Sequence, residues 1–372
     1  MDRIHDFITK EYPNLMNDLK KIALVPSPPF KEKRRVMFLR KYLGESGLKN
    51  SEIDAEGNLV LKEKGKSKKQ VIWSAHVDTV FPEDTELQIK EKDGRIYCPG
   101  IADNAISIVS LLYLIKYIKR YKINLADNNI FLFNVGEEGL GDLRGIKYFF
   151  DHINRNSIKA HICIEGHDIG RLTTKVVGSS RMQVSIKCEG GHAWRDYGKP
   201  NAIIVASQLI NDILKIPLPR EPKTTMNFGT ISGGTSINAI PSNAEFTLEA
   251  RSLNKPCLRS VVEKIRGVLD AVQVKGVKIT TKIVGERPCG ELHDKYLPDI
   301  VSRVHKELNI KTLEEIGSTD SNYPISLGLP SVTIGITDAE KTHSDAEFMY
   351  VGPVKRGFGQ LLRIFEAVNS GK

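Results

Sequence analysis

Cysteine is scarce in this sequence, and none of it is arranged in pairs. Cys98, Cys163, Cys188, Cys257 and Cys289 are scattered, odd in number and form no Cys-x-x-Cys motif. That pattern fits free thiols in a reducing compartment. Long apolar runs are missing too. The longest, residues 106–118, is broken by Ser110 and Lys116 and reads as too short to cross a bilayer. The stretch MDRIHDFITKEYPNLMNDLKK is charged throughout, unlike the apolar region of a signal peptide. Internal repeats, low-complexity tracts and long linkers are also absent. These absences predict a cytoplasmic protein with no membrane partner. A net charge of +9 raises nucleic-acid binding, but the basic residues are not segregated from the acids. The densest run, residues 62–69 (KEKGKSKK), reads as a solvated hairpin loop between two strand-like segments. No nucleic-acid partner is expected.

What is present is ordinary globular material. The 372 residues are 40% hydrophobic and 27% charged, enough for two domains and a sizeable core. Residues 14–45 read as helical, interrupted by the turn Pro26-Ser27-Pro28-Pro29. Short apolar runs rich in β-branched residues follow at 71–77, 130–135, 161–164 and 331–336. Such runs suit strands buried on both faces of a mostly parallel sheet. Helices are predicted over about 104–121 and 141–150. The result is an α/β fold with a central sheet flanked by helices.

The middle of the chain changes character. Residues 180–189 alternate like a half-exposed strand, and 202–214 form an amphipathic helix. Residues 224–231 and 244–251 alternate again, 256–272 read as helical, and 277–284 as a last strand. This β-α-β-β-α-β order is that of a ferredoxin-like α+β unit. We expect it as an inserted domain over 179–288, between two parts of an α/β domain at 1–178 and 289–372.

In an open α/β sheet, ligands bind just beyond the carboxyl ends of the strands. His76 and Asp78 end VIWSAHV, Glu137 and Glu138 follow IFLFNVG, and Glu165 ends HICIE. His343 lies a few residues beyond SVTIGI, and Asp103 sits in the loop CPGIADN before the long helix. If the strands are parallel, these residues converge on one rim. Carboxylates crowded there repel one another, and a bound dication relieves them. Two histidines with several carboxylates suit Zn²⁺, with Mn²⁺ or Co²⁺ as alternatives. His76, Asp103, Glu138, Glu165 and His343 are the candidates to hold two ions roughly 3.5–4 Å apart, bridged by one carboxylate. Asp78 points to the same strand face as His76 and can hold its other ring nitrogen. Glu137 and Glu138 diverge, so one can bind metal while the other serves as general base.

Each piece has a plainer reading alone. A His-x-Asp at a strand end is commonly a structural pair, and Glu137-Glu138 could be a solvated helix start. The joint placement at strand ends is the signal. Gly139, Gly141 and Gly145 imitate a dinucleotide fingerprint after a strand, but Gly145 comes one residue late and two glutamates would repel a pyrophosphate. An inactive binding scaffold is the other rival, and the complete ligand set argues against it.

In this order, the segments SAHVDTVFP, PGIADN, VGEEGLGDLRG, GGHAW, GGTSINAIP and THSDAE resemble the co-catalytic zinc peptidases. That family includes peptidase T, glutamate carboxypeptidase, carnosinase-like dipeptidases, acetylornithine deacetylase and aminoacylases. The resemblance spans nearly the whole chain. It implies a zinc-exopeptidase fold in which residues 179–288 are a lid and dimerisation domain, with a homodimer as partner arrangement. It implies hydrolysis of an amide bond in a short peptide or N-acyl amino acid by a water activated by two metal ions. His76 and Glu165 would hold one ion and Glu138 and His343 the other, with Asp103 bridging. Asp78 would orient His76, Glu137 would be the base, and the Asp103–Asn104 peptide would be cis. His192 would polarise the scissile carbonyl, and Asn238 and Arg251 would bind substrate; Arg181 and the loop 317–324 are weaker candidates. The peptidase T branch points to an aminopeptidase or a di- or tripeptidase. Glu165 departs from the Asp usual in the aminopeptidase branch, which leaves a carboxypeptidase or deacylase open. Ser107 replaces a glycine common early in the long helix, a packing change.

Overall fold

The computed structural model describes residues 2–48 and 50–370. They fall into two compact units: the chain up to Val176 together with Glu291 onward, and the segment Val177–Gly290 between them.

The first unit opens with α1 (Arg3–Ala23) and α2 (Lys33–Glu45). The first helix begins well before residue 14, where the sequence reading placed its start. Asp2 caps it by accepting the Ile4 N–H at 3.0 Å, and Pro13 lies inside it. An interior proline costs roughly 3 kcal/mol. Ile4, Phe7, Glu11, Leu15, Leu19 and Ile22 recur every three or four residues and are buried, all but Glu11 apolar. At about 1.5–3 kcal/mol for each buried side chain, that stripe outweighs the proline.

Next come β1 (Leu59–Glu63), β2 (Gln70–His76), α3 (Ile106–Arg120), β3 (Asn128–Asn134), α4 (Arg144–Asp151), β4 (Ile158–Glu165) and β5 (Arg171–Val176). The second unit holds β6 (Gly178–Lys187), α5 (Ala202–Leu214), β7 (Thr224–Gly233), β8 (Asn243–Ser252), α6 (Lys255–Ala271) and β9 (Lys278–Arg287). The chain then returns through α7 (Tyr296–Glu307), β10 (Leu313–Gly317), β11 (Ser331–Gly335) and α8 (Val354–Asn369).

The central sheet runs β1-β3-β2-β4-β11-β5. The pairs β3/β2, β2/β4, β4/β11 and β10/β5 are parallel, while β1 runs antiparallel to β3 and β5 antiparallel to β11. Because β3 lies between β1 and β2, residues 62–69 are the end of β1 and a crossover, not the expected hairpin loop. Lys66 and Ser67 bind the backbone of Leu125 and Ala126 there, and the lysines stay exposed. The sheet's parallel strands are buried along almost their whole length, as their continuous apolar runs require. Helices α1, α3 and α8 pack together against it, with Trp73 of β2 and Phe365 of α8 at 5.7 Å between ring centroids. The segment 101–120 is long and apolar enough for a membrane by length and composition, but its backbone is non-helical at Asp103 and Asn104 and nearly all of it is buried in this core.

In the second unit the strands order β7-β8-β6-β9, all antiparallel. Inward residues such as Met182, Val184, Phe246 and Leu248 alternate with half-exposed ones and pack against α5 and α6.

Candidate metal centre

Strand register brings the candidates together. Ser74 of β2 pairs with Cys163 of β4, so His76 and Glu165, two residues further on, lie level on one face. His76 Nε2 stands 3.6 Å from Glu165 Oε2. On the other side His76 pairs with Asn134, the last residue of β3. Beyond it the chain turns at Gly136, whose φ is +68° and whose missing Cβ leaves room for the Arg144 side chain. The turn presents Glu137 and Glu138 at the rim. Asp103 arrives from the loop before α3, and its peptide bond to Asn104 is cis. That loop passes so close to β4 that a Cβ on Gly166 would lie 1.7 Å from the Ala102 oxygen. His343 comes from the far end of the chain, after β11.

Ligand atoms gather in three trios, each within 4.8 Å: His76, Asp103 and Glu165; Asp103, Glu138 and His343; and His76, Glu137 and Glu138. The first two share Asp103. Its Oδ1 is 3.0 Å from His76 Nε2, and its Oδ2 is 3.1 Å from His343 Nε2. Glu138 Oε1 is 3.2 Å from His343 Nε2.

The atoms fit divalent ions on their own chemistry. His76 Nδ1 lies 3.1 Å from the Asp78 main-chain oxygen, so Nδ1–H donates there and Nε2 of the neutral ring carries a lone pair. That lone pair faces the oxygens of Asp103 and Glu165. Acceptors facing acceptors in a buried site need positive charge between them. Without ions, protons must supply it. Burial opposes a charge on His76, but bonds to Asp103, Asp78 and Glu165 raise its pKa well above the usual range. Bonds to Asp103 and Glu138 push His343 up to about 11. Burial, then the charge of Asp103, lifts Glu138 to about 8. Asp103 is also buried, but its bonds to His343 and His76 hold it well below the carboxylate range. Two dications would replace those protons with a donor set of nitrogen and oxygen that suits them.

Asp78 acts differently from the sequence reading in one respect. Its carboxylate is 3.6 Å from His76 Nδ1, and its main-chain oxygen is the nearer partner. The carboxylate instead accepts the N–H groups of Glu137 at 3.0 Å and Glu138 at 2.7 Å. Those amides therefore are not free to cradle a pyrophosphate, which removes the dinucleotide reading.

Three residues near the rim had no assigned role. Arg35 is buried and donates to the Val25 oxygen at 2.9 and 2.6 Å and to the Val77 oxygen, between His76 and Asp78, at 3.0 Å. Burial lowers it to about 10, against the charges of Asp78 and Glu347. Asp320 is buried with its Oδ2 2.6 Å from Asn134 Nδ2, and burial followed by the charge of Glu137 raises it well above its ordinary value. Glu347 accepts three backbone N–H groups of the Asp103 loop. Glu347 and Asp320 lie within the segments THSDAE and GSTDSNYP; Arg35 has no sequence signal beyond its charge.

Within the second unit, His192 and Asn238 are neighbours. Residue pair His192/Ala239 is in register, and the Ala193 N–H donates to the Asn238 oxygen at 2.9 Å. His192 Nδ1 accepts the N–H groups of Trp194 and Arg195 at 3.2 and 3.4 Å. Nε2 therefore carries the ring proton and is a donor. Arg251 stands apart on β8, its Nε donating to Glu249 at 2.7 Å, with Arg181 on the other Glu249 oxygen at 2.8 Å.

A mostly parallel α/β sheet with this double trio at its rim defines a metallopeptidase of the hydrolase class. The profile of peptidase family M20/M25/M40 matches residues 72–367, and the chain belongs to that family. Carboxypeptidase G2 of Pseudomonas sp. (strain RS-16) is 22% identical over 329 residues, covering 85% of this chain and 78% of the relative. The fold is similar to that of aminopeptidase PepT from Bacillus cereus, with a TM-score of 0.72, 21% identity and coverage of 95% and 98% of the two chains. It is also similar to YXEP of Bacillus subtilis, a dinuclear metal-binding M20 peptidase, with a TM-score of 0.64, 19% identity and 98% of each chain covered.

Proposed function

We propose that the chain hydrolyses the amide bond of short peptides as an aminopeptidase or a di- or tripeptidase, using two zinc ions, with manganese or cobalt as alternatives. The observation that carries this is the pair of ligand trios meeting at Asp103. His76 and Glu165 would hold one ion and Glu138 and His343 the other, with Asp103 common to both sets. The chemistry supplied there would be a water whose pKa is lowered to near 7 and a polarised carbonyl.

The protein's own groups do the rest. Glu137 takes the proton of the attacking water and returns it to the leaving amine. Asp78 holds the Glu137–Glu138 backbone and, through its main-chain oxygen, the His76 ring. By the resemblance, His192 would donate its Nε2–H to the oxyanion at the scissile carbon, whichever copy of the second unit supplies it. Asn238 and Arg251 bind the substrate backbone and carboxylate.

A carboxypeptidase or N-acyl-amino-acid deacylase is the second reading. Glu165 in place of Asp, the similarity to carboxypeptidase G2 and the cationic Arg181/Arg251 pair favour it. We further propose that the second unit makes a homodimer. Its edge strand β7 is exposed, and Ile203, Ile204 and Ile231 are 40%, 55% and 60% exposed.

The test is a panel of di- and tripeptides with free or blocked termini, assayed with added Zn²⁺, Mn²⁺ or Co²⁺. Cleavage that requires a free amino terminus supports the aminopeptidase. Equal cleavage of N-blocked substrates moves the assignment to the second reading. No hydrolysis with any metal removes both.

A further inference from the structure

Glu347 is no metal-ligand candidate, yet it grips the Asp103 loop at four points. Its Oε2 accepts the Gly100 N–H at 2.9 Å, and its Oε1 accepts those of Ala102 at 2.9 Å and Asp103 at 3.1 Å. Its main-chain oxygen accepts the Cys98 N–H at 3.2 Å. The side chain is buried. Amides of one short loop turned toward one carboxylate make an anion-binding concavity, and bonds to an ionised acceptor are about twice as strong as neutral ones. All three partners are donors and each finds a carboxylate oxygen, which opposes burial and then the charge of Asp103, the causes that raise Glu347 to about 7. Buried Arg35 supplies a nearby positive charge that Glu347 and Asp78 both feel.

The position of Glu347 in the chain gives this concavity a consequence. It lies four residues beyond His343, whereas Asp103 is 240 residues away from that histidine, and the two ligands meet at 3.1 Å. One short segment therefore supplies one candidate ligand and clamps the backbone of another. Two of the three ligands in the Asp103–Glu138–His343 trio are tied through Glu347. In the other trio, His76 and Glu165 sit on paired strands β2 and β4 and only Asp103 depends on the clamp.

We propose that Glu347 is a positioning residue that fixes Asp103 against His343 and so sets the affinity of the Asp103–Glu138–His343 metal site. This rests on the two-metal reading above. The substitutions are graded by chemistry. In Glu347→Gln the amide oxygen can keep the bonds to Ala102 and Asp103, but its NH₂ meets the Gly100 N–H. Glu347→Ala removes all three acceptors.

The experiment is titration of the full-length chain with Zn²⁺ against a competing chelator, giving two successive dissociation constants. Apo-protein melting confirms that each variant is folded. Removing a group that supports a ligand commonly weakens metal binding by about 10–100-fold. Glu347→Ala is expected to weaken one constant by about that factor while the other moves far less, with Glu347→Gln in between. Wild-type affinity at both sites, or equal loss at both, overturns the proposal. If Glu347→Ala does not fold, Glu347→Gln decides by the same criterion. A wild-type chain that binds fewer than two ions overturns the two-metal reading instead.

Discussion

The carboxylate of Asp78 holds the backbone of Glu138, its Oδ2 accepting the amide hydrogen at 2.7 Å. Its other oxygen takes the Glu137 N–H, and its main-chain oxygen lies against His76 Nδ1. One aspartate thus fixes the candidate ligand on β2 and the glutamate pair after β3. In Asp78→Asn the amide NH₂ must face one of those two N–H groups, leaving a buried donor unpaired at a cost of about 1–3 kcal/mol. The expected outcome is a fall in kcat/KM of about 10–100-fold with weaker Zn²⁺ binding. Steady-state kinetics and metal titration check it, and unchanged values for both would refute the role.

Glu137 and Glu138 are adjacent but have separate tasks in the proposed function. Glu137→Gln keeps the shape but cannot take a proton. Turnover is expected to drop about 10²–10⁴-fold, with two ions still bound. Glu138→Gln is expected to lose an ion as well as activity. Metal analysis of both purified variants, beside their rates, separates base from ligand; an inverted result exchanges the two roles.

The gathering of the candidate ligands was legible because each of them follows an apolar run or a glycine-rich turn, and parallel strands end at one rim. The alternation of residues 180–189 and 244–251 likewise fixed two strands of the second unit. Other features were hidden for physical reasons. The helix expected from residue 14 in fact begins at Arg3, because the buried stripe of α1 continues through Pro13. The loop 62–69 looks like a hairpin because sequence does not show that β3 inserts between its flanking strands. Arg35 sits in a basic stretch, KEKRR, where only burial distinguishes it from its solvated neighbours. Asp78 could be placed beside His76 by strand period, but its carboxylate partners lie about sixty residues away in sequence.

Stripping the metal tests the charge argument directly. A chelator is expected to abolish hydrolysis, and Zn²⁺, Mn²⁺ or Co²⁺ to restore it. Each ion that binds only the folded chain adds about 4 kcal/mol of stability at a thousandfold excess over Kd. The apo protein is therefore expected to melt several degrees lower. Calorimetry with and without metal checks this, and coincident melting curves would show that no ion binds the folded site.

His161 makes a prediction independent of any metal. It is fully buried on β4, with Nε2 2.8 Å from Ser74 Oγ and Nδ1 2.7 Å from Ser331 Oγ. Both partners are neutral hydroxyls, and burial lowers its pKa to about 3. The folded chain therefore binds this proton less readily than the unfolded chain, where histidine titrates near 6.5. The stability it allows is complete above about pH 6.5 and declines as the pH falls toward 3. Within that window the contribution changes by about 1.4 kcal/mol per pH unit. His161→Gln keeps hydrogen-bonding capacity toward the two serines and removes the titration. Urea unfolding of the apo proteins between pH 4 and 6.5 is expected to show a shallower acid dependence for His161→Gln, by roughly that slope. Parallel curves for the two proteins would mean that His161 already carries its proton in the folded state.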